Sequence, residues 1–352
     1  MQNTEQKQPA DGVPIAEPEE LPAETLAPAC NVSIRGWENE NEAEAREFAK
    51  GVLFVAKGLS RYLDLSRLES IIIAWDYAEA LASVDCGEGI PPAAPTANEY
   101  GRGGAMAVSV VRNDELWSVV VIGTGVVRQL NQEDHPAHKR AVQTFVHELV
   151  HVDDLRLFAR TYPGGWRAAN PRDGREANLL PIVNPCRSEY SAQRRAAWAA
   201  PEHGLELLKM LSEAMRDVED QIRSARQSYR LHGDIDKFWS VVVERLTFLF
   251  QAIGYGLGHA DWVESRATDH PELAARYRAE LDGLADHSLG WMIEACRDAV
   301  QPFFRLEEWN GLGVYDALIK VLERLLNQNG MYTRAHGDGI YVDVPYAGFR
   351  NL

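Results

Sequence analysis

The chain has 352 residues, of which 45% are hydrophobic and 25% are charged, a composition typical of soluble globular proteins with one large or two ordinary domains. Its formal net charge of −16 argues against nucleic acid and anionic membranes as partners, because both bind basic surfaces. The four cysteines form no C-x-x-C pair, so zinc-finger spacing and a disulfide framework are excluded. The sequence has no recognisable signal peptide or membrane-spanning apolar run, and we predict a cytoplasmic protein.

The first predicted elements follow an acidic tail. Residues 1–35 carry five prolines among Glu, Gln and Ala, with too few apolar residues to repay ordering, which predicts disorder. Apolar residues recur at helical spacing over 41–63, and an isoleucine run within 70–74 predicts a short buried strand. The glycines and prolines of 86–104 indicate a loop.

The middle of the chain is predicted to hold a hairpin and a long helix. Two strand-like runs, 106–111 and 116–122, are joined by four polar residues and fit an antiparallel hairpin. A helix is expected from about Pro136, since proline is favoured in a first turn, to about Arg160. Proline or glycine occupies seven positions in 161–185, which predicts an irregular surface segment that shapes a cleft.

The second half is predicted to be helical. One helix is expected from Ser188 to just before Pro201, and long helical patterns follow to about 329, with Gly254 and Gly258 among the interruptions. A terminal hairpin is expected over 331–345. The predicted domains are a disordered acidic tail (1–35), a catalytic core (36–200), a helical region (201–330) and a C-terminal hairpin and tail (331–352).

The segment 144–154, TFVHELVHVDD, carries the chemistry. His147 and His151 are four residues apart, so on a helix both imidazoles project from the same face. Glu148 follows the first of them. In this H-E-x-x-H pattern two histidines hold zinc and the glutamate acts on the metal-bound water. The alternative is a buried amphipathic helix without metal, which is disfavoured because buried charge without a partner is costly.

A catalytic zinc takes three protein ligands and leaves one position for water. The third histidine of a metzincin is absent, because Asp154 and Leu157 occupy the remaining motif positions. Asp154 could ligate, but a carboxylate so close on the same helix more often orients a histidine. Glu189 is the better candidate, since a second helix could aim it at the metal. The alternative is that it is a first-turn glutamate favoured by the helix dipole.

The H-E-x-x-H motif at 147–151 and the run Glu189-x-x-Ala192 resemble the gluzincin class of zinc metallopeptidases. The second piece is similar to the E-x-x-A-[D/N] helix of the Ste24/HtpX-like and IrrE/ImmA-like peptidases, except that Gln193 replaces Asp or Asn. The resemblance ends at Pro201. It implies an α+β fold: a zincin-like core with a small antiparallel sheet, whose hairpin lies beside the substrate, and a mostly helical C-terminal region.

The resemblance also implies a ligand set and a mechanism. One Zn²⁺ per chain would be held by His147, His151 and Glu189, with Glu148 as the general base that later protonates the leaving amine. The residue that stabilises the oxyanion stays open. The candidates for the oxyanion or for support around the ligands are Asp154, Tyr190, Arg187, His336 and Tyr341.

The predicted function is a zinc peptidase that acts on a protein or peptide substrate, with no nucleic-acid or membrane partner. Two alternatives stay open. The first is a zinc hydrolase of a non-peptide amide or of small peptides, which a deep closed cavity would favour. The second is a non-catalytic zincin-fold scaffold that binds a protein partner through the helical region, which unchanged function after loss of Glu148 would favour.

Overall fold

The structure is a computed structural model. It describes residues 21–37, 41–304 and 309–345. The first twenty residues of the predicted tail therefore lie outside the described residues. The end of that tail is ordered, contrary to the prediction, because β1 (Asn31–Arg35) pairs in parallel with β2 (Leu68–Ala74). The strand carries only Val32 and Ile34 as apolar residues, and it is defined by its pairing more than by its own pattern.

The main sheet has four strands in the order β1-β2-β6-β5, where β5 is Ala105–Arg112 and β6 is Glu115–Gly123. β1, β2 and β6 are parallel, and only β5 is antiparallel. The sheet is thus mixed, and the prediction of an antiparallel sheet was wrong. The predicted hairpin is confirmed as β5–β6, with Asn113 and Asp114 at φ of 50° and 64° in its turn, a conformation that Asn and Asp adopt more readily than other residues.

The parallel pairing follows from the connections. Helix α1 (Glu42–Leu59) links β1 to β2 as a crossover, and such a crossover joins parallel strands. α1 and α4 (His138–Thr161) cover one face of the sheet. The short α2 (Tyr77–Ala82) packs on the other face, and α3 (Thr124–Val127) leads from β6 toward α4. β5 lies at the edge of the sheet, so it keeps a row of backbone groups that no strand of the described residues pairs.

The loop predicted over 86–104 contains two short strands that pair with each other, β3 (Ala97–Asn98) and β4 (Gly101–Arg102). The rest of this segment contains no helix or strand. It leads directly into β5, so it crosses close to the edge of the main sheet. Residues 96–103, which contain β3 and β4, are called the strap below.

The predicted irregular segment is the largest error. Helix α5 runs over Gly174–Ala196 and contains both Pro181 and Pro185. Asp173 caps it by accepting a hydrogen bond from the Glu176 N–H at 2.8 Å. A proline inside a helix costs roughly 3 kcal/mol, but burying one large aliphatic side chain stabilises by about 1.5–3 kcal/mol. The fully buried aliphatic residues of this part of α5 are Leu179, Ile182 and Val183.

The helical region follows the prediction. Apart from 305–308, which the structure does not describe, it contains helices joined by short connections. They are α6 (Gly204–His232), α7 (Ile235–Ser265), α8 (Pro271–Ala285), α9 (Trp291–Phe304) and α10 (Asp316–Gln328). With α5 they enclose the larger hydrophobic core. In the described part of the chain, no helix combines the length and the apolarity needed to cross a membrane.

The last described elements are β7 (Tyr332–His336) and β8 (Gly339–Asp343), which form the expected terminal hairpin. Gly174 packs against its turn: an added Cβ would lie 2.4 Å or less from the backbone of Gly339. The start of α5 is thereby fixed against the end of the described chain.

The sequence predicted that Gly254 and Gly258 interrupt the helical pattern. This prediction was wrong, because both glycines lie within α7. A Cβ on Gly254 would lie 2.5 Å from the carbonyl oxygen of Cys186, and one on Gly258 would collide with the carbonyl oxygen of Tyr190. Both glycines are therefore needed for close approach of α7 to α5. This contact sets which residues of α7 reach the site.

Candidate metal centre

Three predicted ligands from two helices meet in the structure. His147 Nε2 and His151 Nε2, one turn apart on α4, are 3.1 Å from each other. Glu189 Oε2 on α5 lies 3.1 Å from the first nitrogen and 3.4 Å from the second. Two ligands at about 2.0–2.1 Å from a tetrahedrally coordinated ion lie roughly 3.3 Å apart. The three atoms, called the donor triad below, thus have the spacing of one face of a tetrahedral site.

Burial and unsatisfied atoms also fit a bound cation. The three side chains are only 9%, 17% and 12% exposed in chain order. Glu189 Oε2 and His147 Nδ1 are buried and have no hydrogen-bond partner among the described residues. Leaving a carboxylate oxygen buried without compensation is costly. A metal ion between the three donors would remove that cost, so the donor triad fits a metal site.

The electrostatics of the triad favour positive charge. Burial lowers the pKa of His151, but the neighbouring Glu189 carboxylate outweighs it and raises the pKa to about 9. Burial would raise the pKa of Glu189, but the imidazoles of His151 and His147, 3.4 and 3.1 Å from its Oε2, hold the pKa well below its ordinary range. Glu189 is therefore an anion, and it attracts a cation to the imidazoles.

Neighbouring side chains orient two of the donors. Ser188 Oγ lies 3.1 Å from His151 Nδ1, so the ring's other nitrogen faces the triad. Gln251 on α7 donates from Nε2 to Glu189 Oε1 at 3.0 Å and to Tyr255 Oη at 2.9 Å. Oε2 of Glu189 thus faces the two histidines, and Oε1 accepts the hydrogen bond from Gln251. It lies in the middle of α5, which excludes the first-turn alternative.

Gln251, Tyr255 and Ser188 were not predicted from the sequence. The two α7 residues follow the motif by about a hundred positions and have no local pattern of their own. The glycines at 254 and 258 are the signal that could have pointed to them, because small residues four apart in a helix let another helix approach closely.

Glu148 lies beside the triad and is 6% exposed. Burial is the main cause that raises its pKa above the ordinary value, and the Glu189 charge adds to it. The charges of His147 and His151 and a backbone hydrogen bond from Ala107 act in the opposite direction. The carboxyl group is thereby adapted to exchanging protons closer to neutral pH than an exposed glutamate.

The triad and Glu148 line a cleft of about 420 Å³. It is lined by the edge strand β5 and the strap and by residues of α4, α5 and α7. On the α7 side, Tyr100 of the strap stacks on Phe248, with ring centroids 4.9 Å apart. The other end is lined by aromatic rings and by Arg187. A cleft of this size holds a few residues of a peptide.

Two predicted residues have other partners. Asp154 is outside the triad: its Oδ1 accepts from Arg195 at 3.2 Å, and its Oδ2 lies 3.6 Å from Arg187 Nη2. Tyr190 does not line the cleft, because its hydroxyl donates to Asp261 Oδ2 at 2.6 Å on the other side of α5. Asp154 therefore acts on His151 only through its charge.

The remaining candidates for stabilising the oxyanion also differ in whether they line the cleft. Arg187 lines the cleft. His336 and Tyr341 lie on the β7–β8 hairpin and do not line it. Of the candidates proposed from sequence, only Arg187 and Asp154 are at the cleft.

Gln193, which replaces the expected Asp or Asn, supports the fold one turn away from the triad. Its Oε1 accepts from Gln143 Nε2 at 2.8 Å and lies 3.0 Å from His259 Nδ1, in a layer that joins α4, α5 and α7. His259 Nε2 lies 3.1 Å from the Ala200 carbonyl oxygen. Burial lowers the pKa of His259 to about 4, so this layer is neutral at physiological pH.

Comparison with protein-family models, curated proteins and solved structures finds no match to this chain. Function is therefore inferred from the donor triad, the buried carboxyl group at 148 and the shape of the cleft.

Proposed function

We propose that the protein is a zinc-dependent peptidase of the gluzincin type with a zincin-like core. The observation that carries this proposal is the donor triad, with its edges of 3.1, 3.1 and 3.4 Å. Two imidazoles and one carboxylate are the ligand set of catalytic zinc sites that keep one position open. His147, His151 and Glu189 would hold the ion.

A bound zinc ion would supply Lewis acidity, which lowers the pKa of a water molecule and polarises a carbonyl group. Glu148 accepts a proton from the attacking water at its carboxylate and transfers it to the leaving amine. Its raised pKa suits both steps, because the group must bind and release a proton in one cycle. Burial of the site excludes competing water from the reacting atoms.

Tyr255 is the proposed donor to the developing oxyanion, in place of the candidates named from sequence. Its ring lies 6.1 Å from that of His147, centroid to centroid, and it lines the cleft. Burial, and then the charges of Glu189 and Glu148, raise its pKa well above the ordinary value. The raised pKa favours the protonated phenol, which can donate a hydrogen bond.

The edge strand favours a peptide substrate over a small amide. β5 lines the cleft from Ala105 to Ser109, and its free edge can pair with an extended peptide. Backbone pairing of this kind holds the cleaved bond at a fixed distance from the triad. The helical region supplies Gln251 and Tyr255, so in this proposal it completes the site, and a further protein partner on its outer surface is not required.

The test separates ligand from base with two isosteric changes. Glu148→Gln should keep one zinc per chain and lose about 10²–10⁴ in rate, because the amide cannot accept the water's proton. Glu189→Gln should lose zinc. Metal content by mass spectrometry and cleavage of a mixed-sequence peptide library measure the two effects.

Glu206→Gln is the matched control, since Glu206 is 66% exposed and pairs with Arg140 on the surface; it should change neither property. Wild-type turnover in Glu148→Gln would disprove the mechanism. A zinc-loaded wild-type protein that cleaves nothing in the library would favour the scaffold hypothesis.

A further inference from the structure

The end of the cleft on the α4 side is built from aromatic rings. Phe158 of α4 lies 4.4 Å from Trp166 and 5.3 Å from Trp309, and Trp309 lies 5.6 Å from Tyr315, centroid to centroid. All four residues line the cleft. Trp166 is 44% exposed and the other three are buried, so Trp166 stands at the mouth and the others form the closed end.

Arg187 lies in this aromatic end, two residues before Glu189. Its guanidinium packs over Trp309 at 5.2 Å and over Phe303 at 5.9 Å, contacts that hold the charge in place. The side chain is 11% exposed, and its Nε is buried with no hydrogen-bond partner among the described residues. A fixed, buried guanidinium with an unused N–H is suited to binding an anion.

Asp154 does not neutralise Arg187 fully. The nearest atoms of the two side chains are 3.6 Å apart, which is beyond hydrogen-bonding distance. Arg195 also binds this aspartate, at 3.2 Å, and in addition pairs with Asp153. Arg187 therefore retains N–H groups for a partner that the described residues do not supply.

Asn184 adds a second donor, one turn before Arg187 on the same helix. Its Oδ1 accepts a hydrogen bond from the Tyr315 hydroxyl at 2.6 Å, so the carbonyl end of the amide is engaged and the NH₂ end is left to donate. Asn184 and Arg187 both line the cleft. A guanidinium and an amide NH₂ together match the two oxygens of a carboxylate.

We propose that Arg187 and Asn184 form a carboxylate-binding subsite beside the donor triad, so that the preferred peptide substrate carries a carboxylate close to the cleaved bond. This inference rests on the proposed peptidase function and adds its substrate class. The carboxylate comes either from an Asp or Glu side chain or from a free C-terminus, and the experiment distinguishes these sources.

The probes are three sets of alanine-based pentapeptides, blocked at both ends unless stated. The first set carries Glu at one position in turn, the second carries Gln in its place, and the third is the Gln set with a free C-terminus. Binding is measured on full-length zinc-loaded Glu148→Gln protein by calorimetry, and cleavage is measured on the wild type. One of the two sets that carry a carboxylate should bind about tenfold or more tightly than the blocked Gln set, because a hydrogen bond to a charged group contributes about this much to affinity.

Arg187→Gln should reduce this ratio to about 1 while leaving binding of the blocked Gln peptides within roughly twofold, since only the charge-dependent contact is lost. Arg194→Gln is the matched control. Arg194 is on the same helix and also packs over a ring, that of Phe304 at 4.4 Å, but it pairs with Asp261 and does not line the cleft. It should keep the wild-type ratio.

The outcomes separate the two proposals. Preference of the Glu set assigns the subsite to an acidic side chain, and preference of the third set assigns it to the chain terminus. If Arg187→Gln weakens the binding of all peptides equally, or if the protein with Arg187 shows no preference among the sets, the subsite proposal is wrong. Cleavage of the peptides by the wild type would still support the peptidase proposal. Preferential binding that depends on Arg187 but is followed by no cleavage in the wild type upholds the subsite and overturns the peptidase. Absence of any binding overturns the subsite.

Discussion

The two helices that supply the donor triad differ in how their sequences encode them. α4 carries two ligands one turn apart in an uninterrupted run of 24 residues. α5 carries one ligand in 23 residues that include two prolines. The α4 pair is fixed by helical spacing alone, whereas the position of Glu189 depends on what packs around α5.

The difference extends to the hydrophobic cores. The buried residues of α4 around its histidines belong to the core beneath the sheet, with Phe145, Val146 and Leu149 among them. α5 belongs to both cores: its first part lies in the helical core, and Ala192 and Ala196 lie in the core beneath the sheet. Glu189 lies at the end of the first part, next to Tyr190 and three residues before Ala192. The site is therefore at the junction of the two halves, and neither half contains it alone.

The largest effect is expected from removing a ligand on α4, the locally encoded side. His147→Ala or His151→Ala should weaken metal affinity by more than the roughly 100-fold that loss of a supporting residue costs. Competition titration with a chelator measures it. His138→Ala is the control, since this residue lies in the first turn of α4 and contacts the Gln129 carbonyl at 3.0 Å. Full metal occupancy in either ligand variant would show that the donor triad is not the site.

The second prediction concerns the layer that joins α4, α5 and α7, and it depends on pH. Burial lowers the pKa of His259 to about 4, whereas an unfolded histidine titrates near 6.5. Between these values the unfolded chain binds a proton that the folded chain does not. The free energy of unfolding should therefore fall as pH decreases from about 6.5 to about 4, by up to about 3 kcal/mol.

Urea unfolding at several pH values measures this slope. Like burial, positive charge on the neighbouring His203 and His147 lowers the pKa of His259. His259→Gln should flatten the slope, and His270→Gln, at an exposed position, should keep it. An unchanged slope in His259→Gln would assign the acid sensitivity to other groups.

The third prediction tests whether the helical region controls the site. Gly258→Ala would force α7 away from the Tyr190 carbonyl of α5 and should destabilise the fold by about 1–3 kcal/mol. Because α7 carries Gln251 and Tyr255, metal affinity should fall in the protein that remains folded. Thermal unfolding with and without zinc measures both effects.

Gly283→Ala is the control for that comparison. Gly283 is also helical, in α8, but an added Cβ meets nothing within 4 Å, so the change should stabilise by about 0.5–1 kcal/mol. If Gly258→Ala lowered stability and left metal affinity at the wild-type value, the triad would be independent of α7.

The smallest effect is expected at the support of the third ligand. Gln251→Leu removes the hydrogen bond to Glu189 Oε1 at 3.0 Å and should weaken metal affinity by about tenfold, the lower end for such supports. Gln221→Leu is the control, since Gln221 bonds the exposed Glu99 at 2.8 Å. Equal affinities in both variants would indicate that α5 holds Glu189 without help from α7.

The sequence predicted the locally encoded elements well. The β5–β6 hairpin, the span of α4 and the helical character beyond 201 all depend on periodicity within a short window. β1 was missed because five residues with two apolar positions give a weak signal, and parallel pairing with β2 makes it a strand. The break expected over 161–185 was wrong because burial of α5 offsets the local cost of its prolines.

The sequence by itself determined the two histidines, the neighbouring Glu148 and the candidate Glu189, since a separation of four residues on a helix fixes which side chains share a face. Only the tertiary structure decided that Glu189 meets the histidines, that Gln251 and Tyr255 surround it, and that Tyr190 points elsewhere. The reason is physical. Spacing along one helix is set by its own backbone, whereas contact between α4, α5 and α7 depends on close approach of distant segments at Gly254 and Gly258 and on the burial energy of the whole helical core.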